Sequence, residues 1–366
     1  MIVAHLTSVH SRSDTRIYYK MCISLAKMGY DVYLVVADGK RDESKDKVKI
    51  LDVGLPKYGR LSRLMRTVRH VYKKALDLDA DIYHLHDPEL IIVGLILKKM
   101  GKKVIYDAHE DLPNQIDHKY YLPYLFKKIL KPSIKIYQSW SAKRFDTIIT
   151  STSNIEEKFS KFNLNTYCIK NFPIVHELKN KRNTLNIKKT EICYIGAISV
   201  ERGIYEIIQC LDFIPNVRLN LVGNFVSEKL KNEVKNLPQW SKINELGYLD
   251  RKQVKEILER SFVGLLILHP YDSFLNSLPI KLFEYMIAGL PVICSNFLPW
   301  EEIVKKNNIG LCVDPKDPQL IGRAIKHIMD NPREAQQMSE NGIRYVEKYF
   351  NWTNEEKKLL NIYASI

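Results

Sequence analysis

Three groups of residues in this 366-residue chain have types and spacings suited to chemistry. The most informative runs from Asn276 to Ser295, N-S-L-P-I-K-L-F-E-Y-M-I-A-G-L-P-V-I-C-S. Pro279 is placed to open a helix, and Lys281 and Glu284 then fall three residues apart on one face near its N-terminus. Free backbone N–H groups and a lysine at an early helical turn favour phosphate, and a carboxylate beside them can accept from the paired hydroxyls of a ribose. The same two residues also fit a capped helix with a local Lys–Glu pair. Leu282, Phe283, Met286 and Ile287 recur at helical spacing and form the packed side. Gly289 ends the helix, and Leu290 to Cys294 reads as a short buried strand.

The second group is Gly196-Ala197-Ile198-Ser199-Val200-Glu201-Arg202-Gly203, between a strand and a helix. Small residues at such a turn let backbone N–H groups approach an anion, and Arg202 can add a charge-assisted bond. The third group lies in the first half of the chain. A polar loop carries His10, Arg12, Asp14 and Arg16, and fits either a ligand loop or a solvated loop with Asp14 as a helix cap. His86-Asp87-Pro88-Glu89 and Asp107-Ala108-His109-Glu110-Asp111 each follow a strand, where open α/β sheets place ligands. Asp77-Leu78-Asp79-Ala80-Asp81 formally contains the D-x-D of metal-dependent transferases. It precedes a strand, at the wrong end for a ligand, so no metal is expected.

The elements that must position these residues alternate strand and helix. Ile2 to Leu6, a helix over Arg16 to Met28 and Asp31 to Ala37 make a βαβ opening, which predicts a parallel doubly wound sheet. No G-x-G-x-x-G occupies the first turn, which argues against a dinucleotide dehydrogenase. Leu61 to Leu76 is a predicted helix with Leu61, Leu64, Met65, Val68, Tyr72 and Ala75 inward and only basic charges elsewhere. Lys119 to Phe145 reads as a helix interrupted near Pro132, with aromatics interleaved among lysines. A second α/β series starts at Glu191. The chain divides into an N-terminal domain (1–172), a linker (173–190), a C-terminal domain (191–349) and a last helix (350–366).

The Asn276 to Ser295 string resembles the donor-binding segment of family-4 glycosyltransferases, retaining enzymes of the GT-B fold. Their pattern is a glutamate, seven residues and a second glutamate; here Glu284 is the second and Asn276 stands at the first. The family usually has an arginine after the first glycine of the other turn, where this chain has Ala197, and a basic residue before the last, matched by Arg202. The resemblance implies two doubly wound Rossmann-like domains facing a central cleft, with the last helix returning to the N-terminal domain. It implies donor contacts by Gly196, Arg202, Tyr248, Asn276, Leu278, Lys281 and Glu284, and a catalytic role for His109. The loop of His10, Asp14 and Arg16 would help position the acceptor. The expected activity is metal-independent, retaining transfer of a hexose from a nucleotide-diphosphate sugar, with no cofactor. A glycan or lipid-diphosphate-linked acceptor of capsule or O-antigen type is implied.

Composition leaves room for other partners. The formal charge of +14 attracts something anionic. A nucleic-acid-binding protein would explain the charge and the aromatics, but not the phosphate-type turns of the second half, so no specific nucleic acid is expected. A nucleotide-sugar 2-epimerase of the same architecture is the competing enzyme class. Six scattered cysteines without a C-x-x-C pair read as reduced and buried. No signal peptide and no apolar run of membrane-spanning length is read, so the expected location is cytoplasmic. The basic helices of the first half would hold the protein on the anionic inner face of the cell membrane.

Overall fold

The computed structural model describes residues 1–55, 63–109, 124–179, 190–275 and 277–366. These fall into two compact units, Met1–Asn171 with Trp352–Ile366, and Phe172–Asn351. Asn276, Glu110, Asp111, Arg60 and much of the expected linker lie outside the described residues.

The first unit is built on β1 (Ile2–Leu6), β2 (Asp31–Val36), β3 (Glu43–Lys45), β4 (Val48–Asp52), β5 (Ile82–Leu85), β6 (Lys103–Ala108), β7 (Thr147–Thr150) and β8 (Thr166–Cys168). Their spatial order is β3-β4-β2-β1-β5-β6-β7-β8. All pairings are parallel except β3 with β4. The inner strands are apolar on both faces because helices cover both sides, as parallel sheets require. β3 has no apolar residue and escapes detection by pattern. It forms because Asp46 and Lys47 both take positive φ, at 51° and 62°, in a two-residue turn that returns the chain onto β4.

Three helices depart from expectation. The first is π-helical over Thr15–Cys22 before continuing as an α-helix over Ile23–Lys27. In the second, π-helical Arg63–Thr67 precedes the α-helix Val68–Leu78. The wider turn changes the helical phase, so Met65, expected inward, is 71% exposed, while Val71 is fully buried. The third, Tyr124–Ala142, runs through Pro132 without interruption. Pro132 is exposed, so water can satisfy the carbonyl that its missing N–H leaves.

The helix Trp352–Ser365 packs on the first unit: Trp352 Nε1 donates to Ser24 Oγ at 3.0 Å, and Tyr363 is 1% exposed.

The second unit has β9 (Glu191–Ile195), β10 (Arg218–Val222), β11 (Ile243–Gly247), β12 (Gly264–Leu266), β13 (Val292–Ser295) and β14 (Gly310–Val313). Their order is β11-β10-β9-β12-β13-β14, all parallel. The helix Ile280–Ile287 lies on this sheet with Leu282, Phe283, Met286 and Ile287 buried. Each such side chain contributes about 1.5–3 kcal/mol. Tyr285, also buried, receives the Ile195 N–H on its hydroxyl at 3.0 Å and lies where Gly264 leaves room for its ring. The helix is thereby tied to the end of β9. All six cysteines are free thiols. Cys294 and Cys312 are register partners on β13 and β14, with Sγ atoms 3.6 Å apart.

No helix among the described residues is long and apolar enough to cross a membrane.

Candidate active site

In the second unit the ends of β9, β10 and β11 each carry a glycine in a conformation that favours glycine: Gly196 (φ 154°), Gly223 (φ 135°) and Gly247 (φ 64°). The Gly223 N–H donates to the Gly247 carbonyl at 2.8 Å. A Cβ added at Gly223 would stand 1.8 Å from the Gly196 oxygen. Only a glycine there permits the two strand-end turns to touch. The chain then leaves β9 through a short 3-10 turn, Val200–Arg202, and Gly203 (φ 64°) starts the helix Ile204–Gln209.

Arg202 is brought back to the glycine turn. Its Nη1 lies 3.8 Å from where a Cβ on Gly196 would be, near the Tyr194 hydroxyl. Its guanidinium also lies over Phe274, 5.8 Å from the ring centre, in the short helix Asp272–Leu275 that leads toward Lys281. The fold therefore connects the two turns that the sequence separates by some eighty residues. Tyr248, at the end of β11, is 75% exposed, and Leu278 is 38% exposed.

Lys281 Nζ bonds Glu284 Oε2 at 2.7 Å, and the Glu284 carboxylate is largely buried. Arg251 stands 3.8 Å from the other Glu284 oxygen and pairs with Glu177 through the same guanidinium. This arginine has no motif around it, and only the fold places it beside Glu284. The local Lys–Glu pair is thus present, and a cation sits on either side of the carboxylate.

In the first unit the polar clusters converge at the C-terminal ends of β1, β5 and β6. Asp107 is fully buried, with Arg16 Nη2 on Oδ1 at 2.9 Å and Arg16 Nε on Oδ2 at 3.0 Å. Arg16 Nη1 donates to the Ile169 carbonyl at 2.6 Å. Arg16 was expected to help hold the acceptor; instead its guanidinium is buried and engaged by Asp107, and its role is to anchor that carboxylate. Burial would raise the Asp107 pKa, but Arg16, His109 and His86 hold it well below the usual carboxylate range. His86 Nδ1 and His109 Nε2 face Asp107 Oδ2 at 3.2 and 3.1 Å.

His10 lies between two carboxylates, Nδ1 to Asp14 at 3.4 Å and Nε2 to Asp87 at 3.4 Å, and its ring centre is 5.5 Å from that of His109. Asp14 caps the first helix, accepting from the Arg16 and Ile17 N–H groups at 2.8 and 2.9 Å. Asp87 accepts from the Thr7 hydroxyl and the Ser8 N–H at 2.7 and 2.6 Å. The loop thus brings His10, Asp14 and His109 together.

The two partners titrate in opposite directions. Burial lowers the His10 pKa, but the Asp14 bond and the charges of Asp87, Asp14 and Asp107 outweigh it and leave it raised above the ordinary 6.5. Stability from the His10 cation is full below that ordinary value and lost as pH rises through the raised one. Burial raises Asp14, but the His10 bond and two backbone N–H groups carry it down to about 2. That contribution is full above the ordinary 3.8 and lost as pH falls toward about 2. His10→Gln is therefore expected to unfold at lower denaturant than the parent near about pH 5.5, with the gap closing above about pH 8. A gap independent of pH, measured by urea titration, would refute the assignment.

Two groups have donor atoms close enough to share a cation, His5 with His84 and His86, and His86 with Asp107 and His109. Hydrogen bonds already link His5 to His86 and His86 to Asp107. The histidines at 5 and 84 carry no motif; parallel pairing of β1 with β5 puts them side by side.

Comparison with known proteins follows this division. Residues 15–171 match the model "Glycosyltransferase Family 4", and residues 176–345 match "Glycosyl transferases group 1". Glycogen synthase of Mycobacterium tuberculosis is 20% identical over 259 residues, 64% of this chain and 58% of that protein. The chain thus spans about half the length of the curated relatives it matches first. The capsular polysaccharide biosynthesis glycosyltransferase CapM of Staphylococcus aureus is 22% identical over 364 residues, 89% of this chain and 87% of that one. The structure of Anabaena HepE in complex with UDP-glucose covers 100% of both chains with a TM-score of 0.70 at 15% identity, a likeness of fold. With both halves matched by glycosyltransferase models on two parallel-sheet Rossmann-like units, the chain belongs to the family-4-type glycosyltransferases of the GT-B fold.

Proposed function

We propose that this glycosyltransferase uses a nucleotide-diphosphate sugar, transfers the sugar with retention and without a metal, and serves surface-polysaccharide synthesis. The observation that carries the reading is the joined strand-end turn of Gly196 and Gly223 with Arg202 beside it. Backbone approach, a fixed guanidinium and a lysine at a helix start suit a diphosphate. Glu284 is assigned to the ribose hydroxyls and Tyr248 to the base. HepE, of like fold, was crystallised with UDP-glucose, which supports a donor of that class. The likeness to CapM supports a glycan or lipid-diphosphate-linked acceptor. The leaving diphosphate would help deprotonate the acceptor on the same face of the sugar, so no enzyme nucleophile is invoked. Closure over the donor would exclude water and limit hydrolysis.

A screen of common sugar nucleotides for donor hydrolysis and transfer, run with and without EDTA, tests this. One nucleotide sugar should be consumed, with the anomeric configuration kept and the rate unchanged by chelation. Interconversion at C2 without an acceptor would instead identify an epimerase, and loss of activity in EDTA would remove metal independence.

We further place the protein on an anionic cytoplasmic membrane surface. The helix Tyr124–Ala142 exposes Ile136 (68%), Trp140 (46%) and Tyr137 (39%), with Lys135, Lys143 and Arg144 around them. The Arg144 guanidinium stacks over Trp140 at 3.8 Å. Exposed rings flanked by long cationic side chains suit a headgroup layer, where each nearby charge contributes about 1 kcal/mol. Arg66 and Arg69 add exposed charge on the preceding basic helix. Sedimentation with liposomes should show binding that needs anionic lipid, weakens with salt, and drops when Trp140→Ser is combined with Arg66→Gln and Arg69→Gln. Equal binding to neutral vesicles, or none to either, would leave a soluble acceptor as the better reading.

A further inference from the structure

Behind His109 lies a chain of buried polar groups that the assigned chemistry does not use. His84 Nδ1 is 2.7 Å from the Tyr363 hydroxyl, which is 3.4 Å from His5 Nε2. His5 Nδ1 is 2.9 Å from His86 Nε2, and His86 Nδ1 is 3.2 Å from Asp107 Oδ2. All of these side chains are buried.

The direction of every bond follows from one end. Asp107, paired bidentately with Arg16, is an anion and can only accept. His86 must therefore carry its proton on Nδ1, and its Nε2 accepts from His5 Nδ1–H. His5 Nε2 then accepts from Tyr363, whose oxygen accepts from His84 Nδ1–H. Burial disfavours the charged form of all three histidines, so each holds one ring proton. The chain is fully polarised toward Asp107.

The same rule reaches His109. Its Nε2 lies 3.1 Å from Asp107 Oδ2, at an angle short of an aligned hydrogen bond. A lone pair facing a carboxylate at that distance is repelled, whereas an N–H is attracted. His10, between Asp14 and Asp87, packs on the other side of the ring and offers no acceptor for His109.

We infer that Asp107, anchored by Arg16 and His86, is a positioning residue that keeps the His109 proton on Nε2, so that Nδ1 is the working atom and accepts a hydrogen bond from a hydroxyl of the transferred sugar. This rests on the proposed function for the sugar, but the tautomer does not. A donor bearing a hydroxyl at that place is thereby favoured over the deoxy analogue, which leaves the lone pair without a partner.

Two measurements test it. Long-range imidazole 15N correlations of the histidine-labelled protein, with His109 assigned by its loss in His109→Gln, should show the Nε2–H form. The Nδ1–H form in the parent protein would overturn the inference whether or not any donor is turned over. In the transfer assay, His109→Asn puts its amide oxygen near the place of Nδ1, and His109→Gln puts its oxygen near that of Nε2. His109→Asn is expected to keep about tenfold more kcat than His109→Gln. Equal or reversed residual rates would overturn the inference, since a merely structural histidine would not distinguish them. Asp107→Asn should shift the His109 signals toward the Nδ1–H form; if that variant does not fold, the parent spectrum and the two His109 variants decide.

Discussion

Replacing His109 with alanine is expected to lower kcat by about 10²–10³-fold while donor affinity stays within about threefold. The ring is held in place before any substrate arrives: Asp107 faces its Nε2 at 3.1 Å, and its carbonyl accepts from the Ser151 hydroxyl at 2.9 Å. A group fixed that firmly contributes most where charge and geometry change, in the transition state, because no reorganisation is then needed. Steady-state kinetics paired with equilibrium titration of the unreactive nucleotide diphosphate separates the two effects. Parallel loss of affinity and turnover would make His109 a binding residue. The neighbouring Arg16→Ala would strand the buried Asp107 charge, so it is expected to damage the fold and is unsuitable as a catalytic probe.

Arg202→Ala and Lys281→Ala should each weaken nucleotide-diphosphate binding by about 10- to 150-fold, from roughly 1.5–3 kcal/mol per charge-assisted bond. Binding of the bare nucleoside should change little, because neither cation is assigned to the base or the ribose. Arg202 is held beside the Gly196 turn and over Phe274, so its loss removes a preplaced guanidinium. Lys281 is paired with Glu284 at 2.7 Å in the ligand-free protein. Binding a diphosphate would redirect it, which places its expected loss at the lower end of the range. Glu284→Gln isolates that point: nucleotide affinity should fall through the weaker ribose acceptor while the fold survives. Equal losses for nucleoside and nucleotide in calorimetry would sink the diphosphate assignment for either cation.

The fold class was legible because parallel strands buried on both faces must be continuous apolar runs, as β1, β9 and β10 are. Strand ends could be read from glycine and from polar clusters, so the Gly196 turn, His86 and His109 were found from local spacing alone. The Lys281–Glu284 pair was equally local, since three residues of helix fix their proximity. What the sequence could not show depends on pairing across the sheet or on helical phase. The π turn that exposes Met65 leaves no mark on an amphipathic pattern, and β3 exists only through a turn with two residues at positive φ. Arg16 looked like a free loop cation because nothing local reveals Asp107, 91 residues away, as its partner. Parallel register sets His5 beside His84, and the returning helix adds Tyr363. Local sequence thus determined which residues stand at strand ends and helix starts, because those signals act over a few bonds. Tertiary structure decided which charges are buried together and which ring nitrogen faces a carboxylate, because those depend on contacts that only the packed sheet creates.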